Sequence, residues 1–313
     1  MIPLQPLQLL PEYRDYVWGG RRLRPGVLTA EAWVVYEQNR VAFGPLAGCS
    51  LADVAGEYGV ELLGRRAVQR TGNRFPLLVK LLDTAQWLSL QVHPNDEQAA
   101  RLEGPGFFGK TEAVHVLEAA PGATMIAGLQ PGTTAEALAE AVRGGMILDL
   151  ARVLPVAAGD TLFVRPGMIH ASGPGLLLYE VQQTSDLTYR VWDWNRPQTA
   201  GRVLHLDKSL AVADPTAVAS AEPLPSLDDG DCRVLARCPF FTLEIVTAET
   251  RGVRLHTRGE TFHALTVIEG TAQVTVGESS LVLGRFESVV VPAACGEYQL
   301  LPQGSFRALK AGV

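Results

Sequence analysis

A glutamine and a histidine two positions apart form the first cluster along the chain that could bind a metal. Gln91 and His93 lie in the segment LSLQVHPN, residues 88–95, where polar and apolar residues alternate as in a strand. Successive side chains of a strand point to opposite faces, so Gln91, His93 and Ser89 would share one face. An amide oxygen and an imidazole on one face can bind the same divalent cation. A single histidine on a strand is also often structural, and that alternative stays open for this segment.

Two later motifs could complete a metal site. In Gly109-Lys110-Thr111-Glu112 the glutamate begins an apolar run, where burial of an unpaired carboxylate would be costly. Residues 159–170 indicate a strand that ends in a Pro-Gly turn and is followed by His170. Two histidines and a carboxylate, with Gln91 as a fourth ligand, leave room for water or substrate, as in catalytic sites. The alternatives are a solvent-facing Lys110 and Glu112 and a His170 that only hydrogen-bonds within its turn.

The segment at residues 180–196 is dense in polar and aromatic side chains. Such a segment is typical of a pocket that binds a polyol and an anion, and equally of a hydrogen-bonded loop that supports the fold. The remaining histidines are weaker candidates. His115 could face either the core or the site, and we expect structural or surface roles for His205, His256 and His263.

The elements that must position these residues are mostly short strands. The 31 glycines and 20 prolines bound short apolar runs, among them residues 75–82, 161–164, 176–181 and 289–291. Runs of this kind predict the strands of a β-sandwich or barrel, so the predicted fold class is mainly β. Capping residues predict a few added helices, which begin after Ser50, Asn95 and Thr133, and the last of these would end at Gly144-Gly145.

A stretch rich in Ala, Pro, Ser and Asp at residues 211–231 predicts a linker. We therefore expect residues 1–214 to form a domain that carries the candidate metal ligands and the helical additions. Residues 215–231 would connect it to a smaller all-β domain at residues 232–313.

Composition narrows the class of protein. With 313 residues, of which 47% are apolar, the chain can bury a large core. Its net charge of −6 gives no bulk attraction to nucleic acid or to an anionic membrane. The N-terminus does not resemble a signal peptide, and the four cysteines are scattered rather than paired in motifs. We expect a cytoplasmic protein with a small-molecule partner; no pattern in the sequence indicates an oligomeric state.

Taken together, the four clusters resemble the type I phosphomannose isomerases, in their short bacterial form. The matching strings run in order along nearly the whole chain: FPLLVKLL, LSLQVHPND, GKTE, GDTLFVRPGMIHASGPG, YEVQQTSDLTYRVWDWNR and RVLHLDKSL. The resemblance implies two cupin-like (jelly-roll) β-sandwich domains and one Zn²⁺ per chain, with Gln91, His93, Glu112 and His170 as its ligands. It further implies that Lys80 and Ser89 contact a sugar phosphate and that Lys110, Arg190 and Asp186 are catalytic.

The activity implied by the resemblance is the interconversion of mannose-6-phosphate and fructose-6-phosphate through a metal-stabilised enediolate. Arg190 would add a fixed positive charge, since a guanidinium stays protonated. Lys110, Asp186 or a metal-bound hydroxide could be the base, and these stay open. The family usually has aromatic residues where this chain has Ala113-Val114-His115, which bears on substrate choice. The alternatives are a metal cupin for another sugar phosphate, an iron oxygenase on the same scaffold, and a non-catalytic sugar-binding cupin.

Overall fold

The computed structural model of the chain describes residues 1–197 and 202–313, and most of its regular structure is β-strand. The helices are α1 (Leu51–Tyr58), α2 (Val60–Leu63), α3 (Arg65–Thr71), α4 (Asp96–Glu103), α5 (Ala135–Gly144) and α6 (Leu206–Val212), with short 3-10 helices at Ile147–Leu150 and Ala293–Cys295. The strands are β1 (Leu7–Gln8), β2 (Glu12–Arg14), β3 (Glu31–Val35), β4 (Leu77–Thr84), β5 (Leu90–Val92), β6 (Glu112–Ala119), β7 (Thr124–Leu129), β8 (Ala151–Pro155), β9 (Thr161–Val164), β10 (His170–Ser172), β11 (Leu176–Gln183), β12 (Tyr189–Trp192), β13 (Cys232–Arg237), β14 (Thr242–Ala248), β15 (Val253–His256), β16 (His263–Val276), β17 (Ser279–Leu283), β18 (Ser288–Val291) and β19 (Glu297–Gly312). The prediction of a mainly β fold with a few added helices is confirmed.

The chain forms two compact units that interleave along the sequence. We name the first the terminal unit; it combines Met1–Tyr13, Ala32–Leu81 and Leu224–Val313. We name the second the central unit; it combines Arg14–Glu31 and Leu82–Pro223. No helix among the described residues has the length and apolar character needed to cross a membrane.

The terminal unit contains an antiparallel sheet with the strand order β1-β18-β16-β19-β14-β13, to which β15 and β17 add on β19 and β16. Alternate residues of these strands form its core. The buried side chains include Val246, Leu265, Val267, Val274, Leu283, Val289, Tyr298, Leu300 and Phe306. These strands therefore bury one face of the sheet, as expected where side chains alternate along a strand.

The central unit contains a five-stranded antiparallel sheet with the order β12-β5-β10-β7-β8. On one face of this sheet, Leu90 and Val92 of β5 pack in an apolar cluster with Leu138 and Val142 of α5. Because neighbouring side chains of a strand alternate, Gln91 must point to the opposite face. The sheet thus separates a helix-covered apolar layer from the layer that carries the polar candidates.

A second layer of the central unit consists of β11, β6 and β9, which pair in that order. The buried side chains between this layer and the five-stranded sheet include Val114, Val116, Met125, Ala127, Leu162, Val164, Leu176 and Leu178. These two layers form a β-sandwich, and Gln91 faces into its interior.

The capping signals were largely correct. Asn95 caps α4 in a reciprocal box with Gln98, and Gly145, in a left-handed conformation, ends α5. The cap of α5 is Thr134 rather than the predicted Thr133: its backbone is extended, and its hydroxyl accepts the Ala137 N–H. The hydroxyl of Thr133 instead donates to the carbonyl of Gln130.

The helix predicted after Ser50 is correct at its start but divides into three short helices, since the chain turns at Gly59 and Gly64, both at positive φ. Ser50 itself forms a full capping box. Its hydroxyl accepts from the backbone of Asp53 at 3.1 Å, and the Asp53 carboxylate accepts from the backbone of Ser50 at 3.0 Å.

Ser50→Ala should lower the free energy of unfolding by about 1 kcal/mol, because it removes the capping acceptor of α1. Chemical denaturation of the two proteins measures this difference. Since Ser50 belongs to the terminal unit and lies far along the chain from every candidate ligand, activity per folded molecule should not change. An unchanged midpoint would show that the cap does not contribute to stability.

Candidate metal centre

Three predicted ligands meet inside the central unit. One ligand atom from each of His93, Glu112 and His170 lies within 4.8 Å of the others, and all three side chains are buried. His170 Nε2 is 3.0 Å from Glu112 Oε1, and His93 Nε2 is 3.7 Å from the same oxygen. This spacing allows one small cation to touch all three groups.

The strands of the sandwich bring these residues together from distant parts of the sequence. Gln91 of β5 and His170 of β10 are direct cross-strand partners, so their side chains share a face. The Gln91 amide nitrogen lies 3.4 Å from His170 Nε2. Rotation about the last torsion exchanges the two ends of an amide, so the same position can present Gln91 Oε1 as a fourth ligand. Glu112 approaches from the other layer, where it begins β6.

Backbone carbonyls orient both imidazoles. His93 Nδ1 lies 2.8 Å from the Leu187 oxygen, and His170 Nδ1 lies 2.9 Å from the Met168 oxygen. A carbonyl only accepts, so each Nδ1 carries the proton and donates it. Each Nε2 therefore faces the cluster and is the nitrogen that can ligate a metal, as in histidines that bind metals.

The charges in the cluster also suit a cation. Burial, together with the nearby Lys110, holds the pKa of His93 well below its ordinary value, so the ring is neutral. Burial disfavours ionised Glu112, but Lys110, His93 and His170 outweigh it and hold the pKa of that carboxyl well below its usual range. Lys110 Nζ lies 3.0 Å from Glu112 Oε2, yet that oxygen receives no well-aligned hydrogen bond from the described residues. Two imidazoles and a carboxylate with spare acceptor capacity fit a divalent metal.

Lys110 is the predicted catalytic residue nearest to these ligands. Its ammonium contacts Glu112 and lies 3.3 Å from His93 Nε2. Asp186, by contrast, is exposed in the loop between β11 and β12. The two candidates for the base therefore occupy very different surroundings.

Arg190 lies on β12, where its Cα is the cross-strand partner of Gln91. Its Nη1 donates to the Val203 carbonyl at 3.1 Å, whereas its buried Nε has no hydrogen-bond partner among the described residues. Burial, and then the neighbouring Arg202, lower the pKa of the Arg190 guanidinium from its very high ordinary value. The Arg190 backbone N–H donates to His205 Nδ1, so His205 has the structural role expected for it.

The two predicted phosphate contacts lie in different units. Ser89 is buried immediately before β5 in the central unit. Lys80 is buried on β4 in the terminal unit, with its ammonium 5.2 Å from the centre of the Trp33 ring.

The side chains that follow Glu112 on β6, where the family usually has aromatic residues, alternate between the two faces of the strand. Val114 packs in the sandwich interior with Val116, on the same face as Glu112. Ala113 and His115 point to the other face, where His115 Nδ1 lies 2.9 Å from the Thr161 hydroxyl. His115, which the sequence allowed to face either the core or the site, is thus not part of the metal cluster. Of the three residues that replace the family's usual aromatic segment, only Val114 faces the sandwich interior.

Sequence reasoning missed the carbonyls of Met168 and Leu187 that set the two tautomers. No side-chain pattern can reveal a backbone acceptor, since every residue carries one. It also missed Gln183, whose amide contacts Thr111 and Asp96. The only signal for Gln183 was its place in the polar segment at residues 180–196.

Known proteins resemble this chain along its length. The sequence family described as phosphomannose isomerase type I, catalytic domain, matches residues 7–106. The mannose-6-phosphate isomerase of Streptococcus mutans is 33% identical over 309 residues, covering 94% of this chain and 95% of that protein. The mannose-6-phosphate isomerase ManA of Bacillus subtilis is 32% identical, covering 95% and 96%.

A solved structure agrees with the sequence relatives. The crystal structure of the mannose 6-phosphate isomerase from Bacillus subtilis superimposes with a TM-score of 0.85 at 26% identity, over 99% of this chain and 100% of that one. The match extends over both halves of the sequence, which supports the predicted cupin-like fold. Identity at this level over almost the full length, together with the converging His–Glu–His cluster, shows that the chain belongs to the type I phosphomannose isomerases.

Proposed function

We propose that this chain interconverts mannose-6-phosphate and fructose-6-phosphate with one zinc ion, held by Gln91, His93, Glu112 and His170. The observation that carries the proposal is the convergence of His93, Glu112 and His170 within 4.8 Å, in a chain whose relatives carry this activity in their names. The fixed tautomers of both histidines support the same ligand set. When bound, the metal would act as a Lewis acid toward the substrate oxygens.

The reaction moves a hydrogen between C1 and C2 of the sugar, so a proton must leave a carbon beside the carbonyl and return to its neighbour. We assign this transfer to Lys110, whose neutral amine would accept the proton from one carbon and return it to the other, because its nitrogen contacts Glu112 while Asp186 is exposed to solvent. Asp186 would then take no part in the proton transfer. Arg190 supplies a fixed positive charge for the negative oxygen that develops in the enediolate.

The phosphate would be held away from the reacting carbons by Lys80 and Ser89, so that its binding energy positions the sugar. We also keep as a proposal the division of the chain into a catalytic domain at residues 1–214, a linker at 215–231 and a smaller domain at 232–313. A cytoplasmic location is part of the same proposal, and it is supported by the four cysteines, none of which is in a disulfide.

Removal of the metal should abolish the isomerase activity, and zinc should restore it. The measurement is a coupled assay for fructose-6-phosphate formed from mannose-6-phosphate, run before and after chelation and after zinc is added back. Readdition of cobalt or manganese in parallel identifies which metals support turnover, since all three accept such ligands.

The contrary result is full activity in protein whose metal content has been shown to be nil, and it would refute the metal-dependent reaction. A folded, zinc-loaded protein without activity on mannose-6-phosphate would instead favour another sugar phosphate. A panel of aldose and ketose phosphates then tests this alternative substrate. Val114 motivates it, because it lies in the sandwich interior at a position where the family usually has an aromatic residue.

A further inference from the structure

We propose that Gln183 is a positioning residue that holds the segment bearing Lys110 and Glu112 against the segment that follows His93. This inference rests on the proposed function of the metal centre. Gln183 is 5% exposed and is the last residue of β11. It lies outside the predicted ligand and substrate-contact sets.

Gln183 first contacts the peptide groups of Thr111, through its side-chain oxygen and its backbone N–H. Its Oε1 accepts the Thr111 N–H at 2.9 Å, and its own backbone N–H donates to the Thr111 carbonyl at 3.2 Å. Thr111 stands between Lys110 and Glu112, and in extended backbone the side chains on either side of a residue point the same way. Fixing the Thr111 peptide therefore fixes the direction in which both the ammonium and the carboxylate approach the cluster.

The side-chain nitrogen of Gln183 contacts the start of α4. Its Nε2 donates to Asp96 Oδ1 at 3.0 Å, and the same oxygen accepts the Gly109 N–H at 2.7 Å. The Lys110 N–H donates to the carbonyl of Pro94, the residue after His93. One amide thus links the loop before Glu112 to the loop after His93.

The backbones of these two loops are closely packed against each other. A Cβ atom on Gly109 would lie 2.4 Å from the carbonyl carbon of Asn95, so the backbones touch directly. A second polar contact supports the same loop, since the Ser185 hydroxyl donates to the Phe108 carbonyl at 2.8 Å. Gln183 differs from Ser185 in that it uses a donor and an acceptor at once, which an amide can do and a shorter or apolar side chain cannot.

Partners that orient metal ligands typically change metal affinity or activity by about 10- to 100-fold when removed. We expect that range for Gln183→Met, which keeps the side-chain volume and removes both hydrogen bonds. The zinc dissociation constant should rise and kcat should fall, each within that range. The KM for mannose-6-phosphate should change less, because the proposed phosphate contacts at Lys80 and Ser89 are on other segments.

The experiment measures zinc affinity by competition with a chromogenic chelator, together with kcat, KM and the melting temperature. Ser50→Ala is the matched control, because it lowers stability without contact with the site. If Gln183 were only structural, Gln183→Met would behave like Ser50→Ala, with a lower melting temperature and unchanged zinc affinity and kcat. That result would overturn the proposal.

A second variant keeps the test valid even where Gln183→Met fails to fold. In Gln183→Glu one carboxylate oxygen can still accept the Thr111 N–H, but the other meets the Asp96 carboxylate and the like charges repel. Adding Asp96→Asn removes this repulsion, although its amide group cannot both donate to the new carboxylate and accept the Gly109 N–H as Asp96 Oδ1 does, so zinc affinity and kcat should recover in part relative to the single variant. No recovery would contradict a role for this contact.

The positioning role of Gln183 and the proposed isomerase function can be refuted independently of each other. If the wild-type chain has no activity on mannose-6-phosphate, but Gln183→Met still weakens zinc binding, the proposed substrate is wrong and the positioning role stands. If the wild-type chain is active and Gln183→Met leaves both zinc affinity and kcat unchanged, the positioning role is wrong and the proposed function stands.

Discussion

His170→Ala is expected to lose both the bound metal and the isomerase activity. His170 Nε2 lies 3.0 Å from Glu112 Oε1, and its Nδ1 is fixed by the Met168 carbonyl, so Nε2 is aimed at the cluster. Removal of a partner that merely orients a ligand costs about 10- to 100-fold, and removal of the ligand itself should exceed that range. Metal analysis of the purified protein and the coupled assay measure the two effects.

His263→Ala is the matched control for this variant. His263 is 7% exposed and His170 is 4% exposed, so the two substitutions remove side chains of the same type and similar burial. His263 lies in the terminal unit, with its Nδ1 2.7 Å from the Tyr298 hydroxyl, and it is not in the metal cluster. The control should keep its metal and its activity per folded molecule. Full activity of metal-free His170→Ala protein would be incompatible with a metal-dependent reaction.

Arg190→Lys is expected to lower kcat strongly while the metal content stays unchanged. The guanidinium is rigid and spreads its charge over a plane, and it lies on β12 beside Gln91 with Nη1 anchored on the Val203 carbonyl. A lysine ammonium is a compact, mobile charge and cannot reproduce both the anchor and the direction of the remaining donors. Loss of one preorganised donor to a developing oxyanion costs about 10²- to 10³-fold in kcat, and we expect a loss in that range.

Arg74→Lys offers a comparable substitution away from the site. Arg74 is partly buried and binds Glu37 through its Nε at 2.9 Å in the terminal unit. This control should have the kcat of the wild type. If Arg190→Lys protein loses its zinc as well, Arg190 maintains the structure of the sheet around Gln91 and does not act on the substrate.

Much of the local structure could be predicted from the sequence, because local signals depend on a few neighbouring residues. Asn95 was sufficient to place the start of α4, since a capping side chain satisfies backbone groups within one turn. Apolar runs bounded by glycine or proline placed strands such as β9, which spans the predicted residues 161–164. The choice between Thr133 and Thr134 failed because both residues are threonines, so residue type cannot distinguish the two capping positions.

The sequence by itself determined the chemical groups of the site: two histidines, a carboxylate, an amide and a lysine in motifs that fit a cation and a sugar phosphate. The tertiary structure decided which of them meet. It pairs His170 with Gln91 on neighbouring strands, although the two residues are 79 positions apart in the sequence, and it brings Glu112 from the other layer. It also decided that His115 lies outside the cluster, through the alternation of β6, and that Met168, Leu187 and Gln183 orient the ligands. These outcomes depend on strand register and on backbone acceptors that every residue shares, and neither leaves a mark on residue type.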